Sequence, residues 1–164
     1  MWYGISGSWR TTNAEVESDV RTRVAEIMHH GDGIVSGGAL GVDYFATDEA
    51  LKRGAGADQL KIILPTPKKI FFSHFQNAAN DGRITTDQAE ELITQLAEID
   101  SRGALYTMEF DVCNPETYYA RNSEVIKASD VLLAFQVNAS QGTQDAIDKA
   151  IELGLPVETN TYTI

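Results

Sequence analysis

The chain has 164 residues, a formal charge of −11 and a single cysteine, Cys113. This length suits one domain with its own apolar core, and the lone cysteine excludes an internal disulfide or a cysteine metal cluster. No apolar run is long enough to span a bilayer, and the predicted first strand begins too close to Met1 for a signal peptide to precede it, so we expect a cytoplasmic protein.

The first third of the chain alternates short apolar runs with amphipathic segments. Residues 2–6 predict a first strand, residues 34–36 a second and residues 61–65 a third. Valine and isoleucine recur at helical spacing from Val16 to Ile27, and a second helix is predicted from Asp43 to about Arg53. Glycine or proline residues end most of these elements, as is typical of element boundaries.

Residues 68 to about 113 differ in character because they contain no strong strand pattern. A short helix carrying Phe71 and Phe75 precedes an amphipathic helix, which has capping-box spacing at Thr85 and Gln88. We predict that this segment is an acidic helical insertion packed on the domain, with its carboxylates on a solvated face.

The alternation returns after residue 113. Asn114-Pro115 predicts the start of a helix, and residues 130–135 form the clearest buried strand in the chain. Gly142-Thr143 leads into the last helix, and Pro156-Val157 opens the last strand. Strands that alternate with helices indicate a parallel sheet covered on both faces.

This pattern predicts an α/β fold, namely a Rossmann-like, doubly wound parallel sheet in three α/β/α layers. We expect residues 1–164 to form a single domain, with the helical insertion at about residues 68–113. Two successive βαβ halves predict the strand order 3-2-1-4-5, counted over the five predicted strands. Ligands bind such sheets beyond the carboxyl ends of the strands, at the point where the order reverses, so we expect a site there.

Three glycine-containing loops, each followed by a predicted helix, converge on this crevice. Glycines let backbone N–H groups approach a phosphate, and a helix N-terminus favours negative charge. Together with nearby polar side chains, these loops give the predicted ligand- or phosphate-binding residues: Gly7, Ser8, Arg10, Ser36, Gly37, Gly38, Gly41, Asp43, Arg121, Asn122, Gly142 and Thr143. We predict no cofactor apart from such a nucleotide or phosphate ligand.

Several familiar chemistries are absent from the sequence. The sequence lacks the dinucleotide-binding pattern. Its glycine cluster follows the second strand instead of the first, and no acidic residue stands at the position that would bind the ribose hydroxyl of a dinucleotide. The chain has neither a Walker-type lysine nor a nucleophile-elbow serine. The pair His29-His30 fits a helix end better than a metal site, and Cys113 fits a small buried residue better than a nucleophile. We therefore predict no metal site and assign no catalytic residue.

The segments around the predicted loops resemble the DNA-processing protein A (DprA/Smf) family. The resemblance lies in Gly7-Ser8-Trp9-Arg10, in Ser36-Gly-Gly-Ala-Leu-Gly-Val-Asp43, in Tyr119-x-Arg121-Asn122, and in the strand 130–135 followed by Gly142-Thr143. More broadly, the chain is similar to the SLOG superfamily of Rossmann-like nucleotide-binding domains, which includes the "lonely guy" phosphoribohydrolases. The resemblance implies a phosphate or nucleotide pocket formed by these loops. In DprA proteins it also implies single-stranded DNA binding and delivery to a recombinase.

One departure from the phosphoribohydrolases bears on catalysis. Those enzymes carry a Pro-Gly-Gly-x-Gly-Thr-x-x-Glu pattern, whereas here the preceding glycine pair is missing and the glutamate position is Ala146. A methyl group can neither ionise nor orient water, so glycosidic cleavage lacks its acid unless another element, carrying Glu109 or Asp111, supplies one.

Three functions remain open at this point. The first is a DprA/SLOG-like protein that binds a nucleotide or another phosphate ligand, and the missing acid and the acidic charge favour it. The second is a single-stranded DNA-binding, DNA-processing protein, which the net charge disfavours because it repels nucleic acid. The third is a nucleoside-monophosphate phosphoribohydrolase of the lonely-guy type. We lean towards a binding protein without enzymatic activity, and we expect a homo-oligomer with no membrane partner.

Overall fold

The computed structural model describes all 164 residues, which form six β-strands and six α-helices. The strands are β1 (Trp2–Gly7), β2 (Gly33–Ser36), β3 (Leu60–Leu64), β4 (Leu105–Thr107), β5 (Val131–Val137) and β6 (Val157–Tyr162). The helices are α1 (Ala14–His29), α2 (Val42–Lys52), α3 (Lys68–Asn80), α4 (Thr86–Ser101), α5 (Pro115–Lys127) and α6 (Gln141–Glu152).

The strands form one parallel sheet in the order β4-β3-β2-β1-β5-β6. The five strands predicted from the sequence occur in the predicted order, since 3-2-1-4-5 corresponds to β3-β2-β1-β5-β6. The order reverses at β1, which pairs with β2 on one side and β5 on the other. The Rossmann-like, doubly wound α/β fold is thus confirmed, and the carboxyl ends of β1 and β5 lie side by side.

Residues 68–113, which show no strong strand pattern in the sequence, nevertheless contain one short strand, β4. The short strand β4 pairs with β3, with Ile62 beside Leu105, so α3 and α4 form the crossover between two neighbouring parallel strands. The apolar pattern of the sequence does not indicate this strand, because it has only three residues and two of them are exposed at the sheet edge.

Two helix starts follow directly from capping residues. Thr85 and Gln88 form the capping box of α4, as the sequence predicts. Asn114 and Thr117 form a second capping box at α5, where Pro115 occupies the first helical position. These boxes fix the residues at which the two helices begin.

The apolar core forms two clusters, one much larger than the other. The larger cluster contains 27 buried residues and joins α1, α2, α3 and α4 to the sheet. The smaller cluster holds α5 and α6 against β5, through six residues that include Ile126, Leu132 and Ala146. This second cluster positions the first turn of α6 at the carboxyl end of β5. No helix combines the length and the apolar character needed to cross a membrane.

Candidate functional site

A cavity of about 690 Å³ opens at the carboxyl ends of β1 and β5, where the strand order reverses. Small-molecule sites in proteins usually have volumes of about 300–1,000 Å³. The cavity walls come from the loop after β1, the β2–α2 loop, α3 with the residues that follow it, the first half of α5, and the start of α6.

Most of the residues predicted from the sequence lie together in this cavity. Those that line it are Gly7, Ser8, Arg10, Gly37, Asp43, Arg121, Asn122, Gly142 and Thr143. The remaining three, Ser36, Gly38 and Gly41, are not part of the lining. Ser36 and Gly38 are buried behind the wall, where Gly38 packs against Leu64 of the core.

The β2–α2 loop, which comprises residues 37–41, makes its polar contacts inside the protein. The Val42 N–H at the start of α2 donates to the Ser8 carbonyl at 3.1 Å, and the Ala39 N–H donates to the Asp43 carboxylate at 3.2 Å. Gly41 has a φ of 70°, and a Cβ there would lie 2.7 Å from the Trp9 Cα. The glycine is therefore required by backbone geometry and by close packing of the protein on itself.

Arg121 occupies the space that Gly37 leaves open. A Cβ on Gly37 would lie 2.7 Å from the Arg121 Nε, and the guanidinium donates a hydrogen bond to the Gly37 carbonyl. Arg121 is only 7% exposed, and its guanidinium carbon lies 5.4 Å from the centroid of the Tyr118 ring. None of the salt bridges in the protein includes Arg121. A buried guanidinium thus lines the cavity without a carboxylate in direct contact.

Asp43 is the nearest source of compensating charge. Burial lowers the pKa of Arg121, and the negative charge of Asp43 opposes that shift. Burial raises the pKa of Asp43, and Arg121 together with the Ala39 N–H opposes that shift in turn. The two groups interact through the low-dielectric interior without forming an ion pair, so the guanidinium remains able to bind an anion.

The start of α6 leaves its backbone donors free. The N–H groups of Gln141, Gly142 and Thr143 have no acceptor within the chain. The N-cap residue Ser140 does not bond them, because its hydroxyl contacts the Thr143 hydroxyl at 2.7 Å instead. Unpaired N–H groups at a helix N-terminus form a ready site for a negative group.

The loop after β1 presents a second set of free donors to the cavity. The N–H groups of Ser8, Trp9 and Arg10 have no acceptor within the chain, while the Ser8 hydroxyl accepts from the Thr11 N–H at 3.2 Å. Trp9 is 42% exposed, and the Arg10 guanidinium lies 4.5 Å from the centroid of its ring. This loop therefore combines backbone donors, a cation and an accessible aromatic face.

Charge in the cavity is the reverse of the charge of the whole protein. The chain has 13 basic and 24 acidic residues, yet its lining includes Arg10, Arg83 and Arg121 against the single carboxylate of Asp43. Because the cavity gathers basic groups on an otherwise acidic protein, it is suited to a small anionic ligand.

Asn122 links the site to α6 through a network of side chains. Its amide donates to the Asp145 carboxylate at 3.0 Å and to the Gly142 carbonyl at 3.3 Å. The Lys149 ammonium donates to the same carboxylate at 2.8 Å and to the Tyr119 carbonyl at 2.6 Å. Asp145 is thereby held in contacts that join α5 to α6.

The two acids that could replace the missing glutamate, Glu109 and Asp111, lie outside the cavity lining. Ala146 is buried and lines the cavity, whereas Glu109 and Asp111 are exposed and do not line it. Asp148 is also exposed and outside the lining.

Sequence reasoning missed one wall of the cavity entirely. We call it the α3 wall, and it consists of His74, Phe75, Ala78, Arg83 and Ile84. The cluster of phenylalanines and a histidine in residues 71–75 is the available signal, but the sequence predicts only that this segment packs on the domain. Tyr118 and Cys113 from the start of α5 complete this side of the cavity.

No protein-family profile matches this chain, and a comparison with curated proteins finds no match. Among solved structures, DNA processing protein A from Helicobacter pylori, described for its single-stranded DNA binding mode, has a TM-score of 0.72 and 24% identity. The alignment covers 97% of this chain and 64% of that protein, so this chain spans less than two thirds of its length.

Two molybdenum cofactor proteins share the same fold. The binding protein from Rippkaea orientalis has a TM-score of 0.62 and 18% identity, over 98% of this chain and 76% of that one. The carrier protein from Chlamydomonas reinhardtii has a TM-score of 0.56 and 14% identity, over 99% of this chain and 89% of that one. These similarities agree with the DprA-like and SLOG-like resemblance of the sequence, at the level of the fold.

Proposed function

We propose that this protein binds a nucleotide or a related phosphorylated ligand in the cavity between β1 and β5. The observation that carries the proposal is the Arg121 guanidinium, which is buried in the cavity wall without a carboxylate in contact. Buried arginines are normally paired, because removing an unpaired charge from water is costly. An anionic ligand would supply the missing partner.

A phosphate group suits the donors around this cavity. Free backbone N–H groups come from two directions, at residues 8–10 and at residues 141–143. Phosphate oxygens accept several hydrogen bonds at once, and planar guanidinium groups bond them with good geometry. Arg10 adds a second, exposed cation near the same end of the cavity.

The same residues favour binding over cleavage of the ligand. The single lining carboxylate, Asp43, is buried and accepts a hydrogen bond from the Ala39 N–H, and Asp145 is held by Asn122 and Lys149. Cleaving an N-glycosidic bond requires a carboxylate free to stabilise positive charge and direct water. We therefore propose a binding protein and not a phosphoribohydrolase.

Single-stranded DNA is a second candidate ligand, and one observation favours it. Trp9 is an accessible aromatic face beside Arg10, and bases of single strands stack on such faces. The net charge of −11 opposes a polyanion much more than a small phosphate ester. If DNA binds, its affinity should fall steeply with salt concentration, because counterion release sets the slope.

The test is calorimetric titration with inorganic phosphate, with each common nucleoside monophosphate and with a short oligothymidylate at two salt concentrations. We expect the monophosphates to bind and the oligonucleotide to bind only at low salt. Mass measurement of any ligand that co-purifies with the native protein would separate nucleotides from a molybdenum cofactor.

Arg121→Met is the decisive variant, since it keeps an unbranched apolar chain and removes the charge. Arg53→Met is its matched control, because Arg53 is exposed at the end of α2 and does not line the cavity. We expect a loss of affinity of about tenfold or more for Arg121→Met and no change for Arg53→Met. Equal affinities for the two variants would contradict the proposal.

A further inference from the structure

The α3 wall differs in chemistry from the side of the cavity that carries the free backbone donors. Phe75, Ala78 and Ile84 give it an apolar surface, and all three are buried. Its polar groups are only two, His74 and Arg83. A ligand that extends from the α6 side to this wall would therefore place a phosphate at one end and an apolar, flat group at the other.

His74 lines the cavity and has one ring nitrogen without a partner. Its Nε2 shares a hydrogen bond with the Tyr118 hydroxyl at 3.2 Å, and its Nδ1 has no partner in the chain. Its ring packs edge-on against Phe75 and Tyr118, with centroids 5.2 and 6.4 Å apart. Burial and the nearby charge of Arg83 lower the pKa of His74, so the imidazole is neutral near pH 7.

The charged group of the α3 wall, Arg83, can only donate hydrogen bonds. Arg83 offers only N–H groups, and burial raises the pKa of Tyr118, which keeps its hydroxyl protonated. Asp81, which accepts a hydrogen bond from Arg83 at 3.2 Å, does not line the cavity. A ring that presents acceptors along its edge would satisfy these donors better than one that presents an amino group.

Building on the function proposed above, we propose that the α3 wall holds the heteroaromatic ring of the phosphorylated ligand and selects rings that carry a carbonyl oxygen. Phe75, Ala78 and Ile84 bury the face of the ring. Arg83 donates to its carbonyl edge, in the way that arginine commonly contacts the O6 and N7 atoms of guanine. The ligand class is a nucleotide of an oxo base, such as guanine or uracil, in preference to adenine.

The experiment compares ligands that share a phosphate and differ in the ring. Ribose 5-phosphate, AMP, GMP and UMP are titrated into the protein by calorimetry. We expect GMP and UMP to bind at least about tenfold more tightly than ribose 5-phosphate, because ring burial adds favourable energy. We also expect them to bind more tightly than AMP.

Variants of α3 test the placement of the ring. Ala78→Leu fills the wall and should reduce GMP binding to the level of ribose 5-phosphate, while Gln76→Leu introduces the same side chain at an exposed position of the same helix and should change nothing. Arg83→Gln, at an exposed residue, should bring the affinities of GMP and AMP together, and it remains informative if Ala78→Leu does not fold.

The possible failures are distinguishable. If ribose 5-phosphate binds as tightly as GMP, the ring site is wrong and phosphate binding stands. If AMP binds as tightly as GMP, or Arg83→Gln leaves their ratio unchanged, the selectivity is wrong. If no phosphate compound binds at all, the proposed function fails, and this inference fails with it.

Discussion

The β2–α2 loop and the loop from β5 into α6 have the same layout of strand, glycine-containing turn and helix, but different roles. The first contains Gly37, Gly38 and Gly41, and the Val42 N–H at the start of its helix already has an acceptor in Ser8, although the next two N–H groups have none. The second contains only Gly142, and the N–H groups of residues 141–143 have none. The glycines of the first loop therefore report how closely the protein packs on itself. The start of α6 differs because all three of its first residues have unpaired N–H groups and line the cavity, whereas of the first three residues of α2 only Asp43 lines it.

The two loops also differ in the space around their glycines. In the β2–α2 loop, side chains at positions 37 and 38 would collide with Arg121 and with Leu64. At Gly142 a Cβ would meet nothing within 4 Å. The first loop is thus built from glycine so that Arg121 can be buried, and the second is open at the cavity.

Alanine substitutions of glycine should give the largest contrast between the loops. Gly41→Ala combines a positive φ with a clash against the backbone of Ser8 and Trp9, and should lower the free energy of unfolding by about 3 kcal/mol or more. Gly142→Ala should change it by less than about 0.5 kcal/mol, because the site is open and exposed. Urea denaturation of both variants measures the difference, and a costlier Gly142→Ala would reverse our assignment of the two loops.

Arg121→Met should separate ligand affinity from stability. We expect phosphate-ligand binding to weaken by about 1.5–3 kcal/mol, the usual contribution of a hydrogen bond to a charged group. The free energy of unfolding should also fall, by about 1–2 kcal/mol, because the buried Asp43 loses the positive charge that offsets its burial and the Gly37 carbonyl loses its donor. Calorimetry and urea denaturation on the same preparation measure both quantities. A large loss of stability without loss of affinity would make Arg121 a structural residue of the β2–α2 loop.

Arg10→Ala should have a smaller effect on the same ligands. Its guanidinium is exposed and lies over Trp9, so solvent screens its attraction for phosphate. We expect affinity to fall by about 1 kcal/mol, with an effect that shrinks as salt is added. An effect as large as that of Arg121→Met at high salt would show that Arg10 is enclosed when the ligand binds.

Asp145→Asn should have the smallest effect, because Asp145 does not line the cavity and is held by Asn122 and Lys149. Incubation of the native protein with each nucleoside monophosphate should release no free base above background. The variant should bind these ligands within about twofold of the native protein, since the amide still fills the position between Asn122 and Lys149. Base release by the native protein that Asp145→Asn abolishes would establish an enzyme.

The sequence predicts the order of the main strands because their β-branched, apolar runs are unmistakable and parallel topology follows from alternation with helices. It also predicts Arg10, Arg121 and the α6 start, because each follows or faces a strand end near the reversal. The sequence could not distinguish a glycine that leaves space for a ligand from one that leaves space for the Arg121 side chain. Both are glycines in a turn between a strand and a helix. The sequence could not predict the α3 wall, because the residues of α3 that line the cavity depend on which face of the helix turns toward loops distant in the sequence.

The capping box of α5 has a consequence for how this protein tolerates changes in length. Asn114 and Thr117 fix the first turn of the helix, and Arg121 follows Thr117 by four residues. Inserting one residue between them would turn the arginine by about 100° around the helix axis and carry its guanidinium away from Gly37. Substitutions at exposed positions between Thr117 and Arg121 should have little effect on binding, because they leave the direction of Arg121 unchanged. A one-residue insertion or deletion in the same stretch should abolish binding while the sheet still forms.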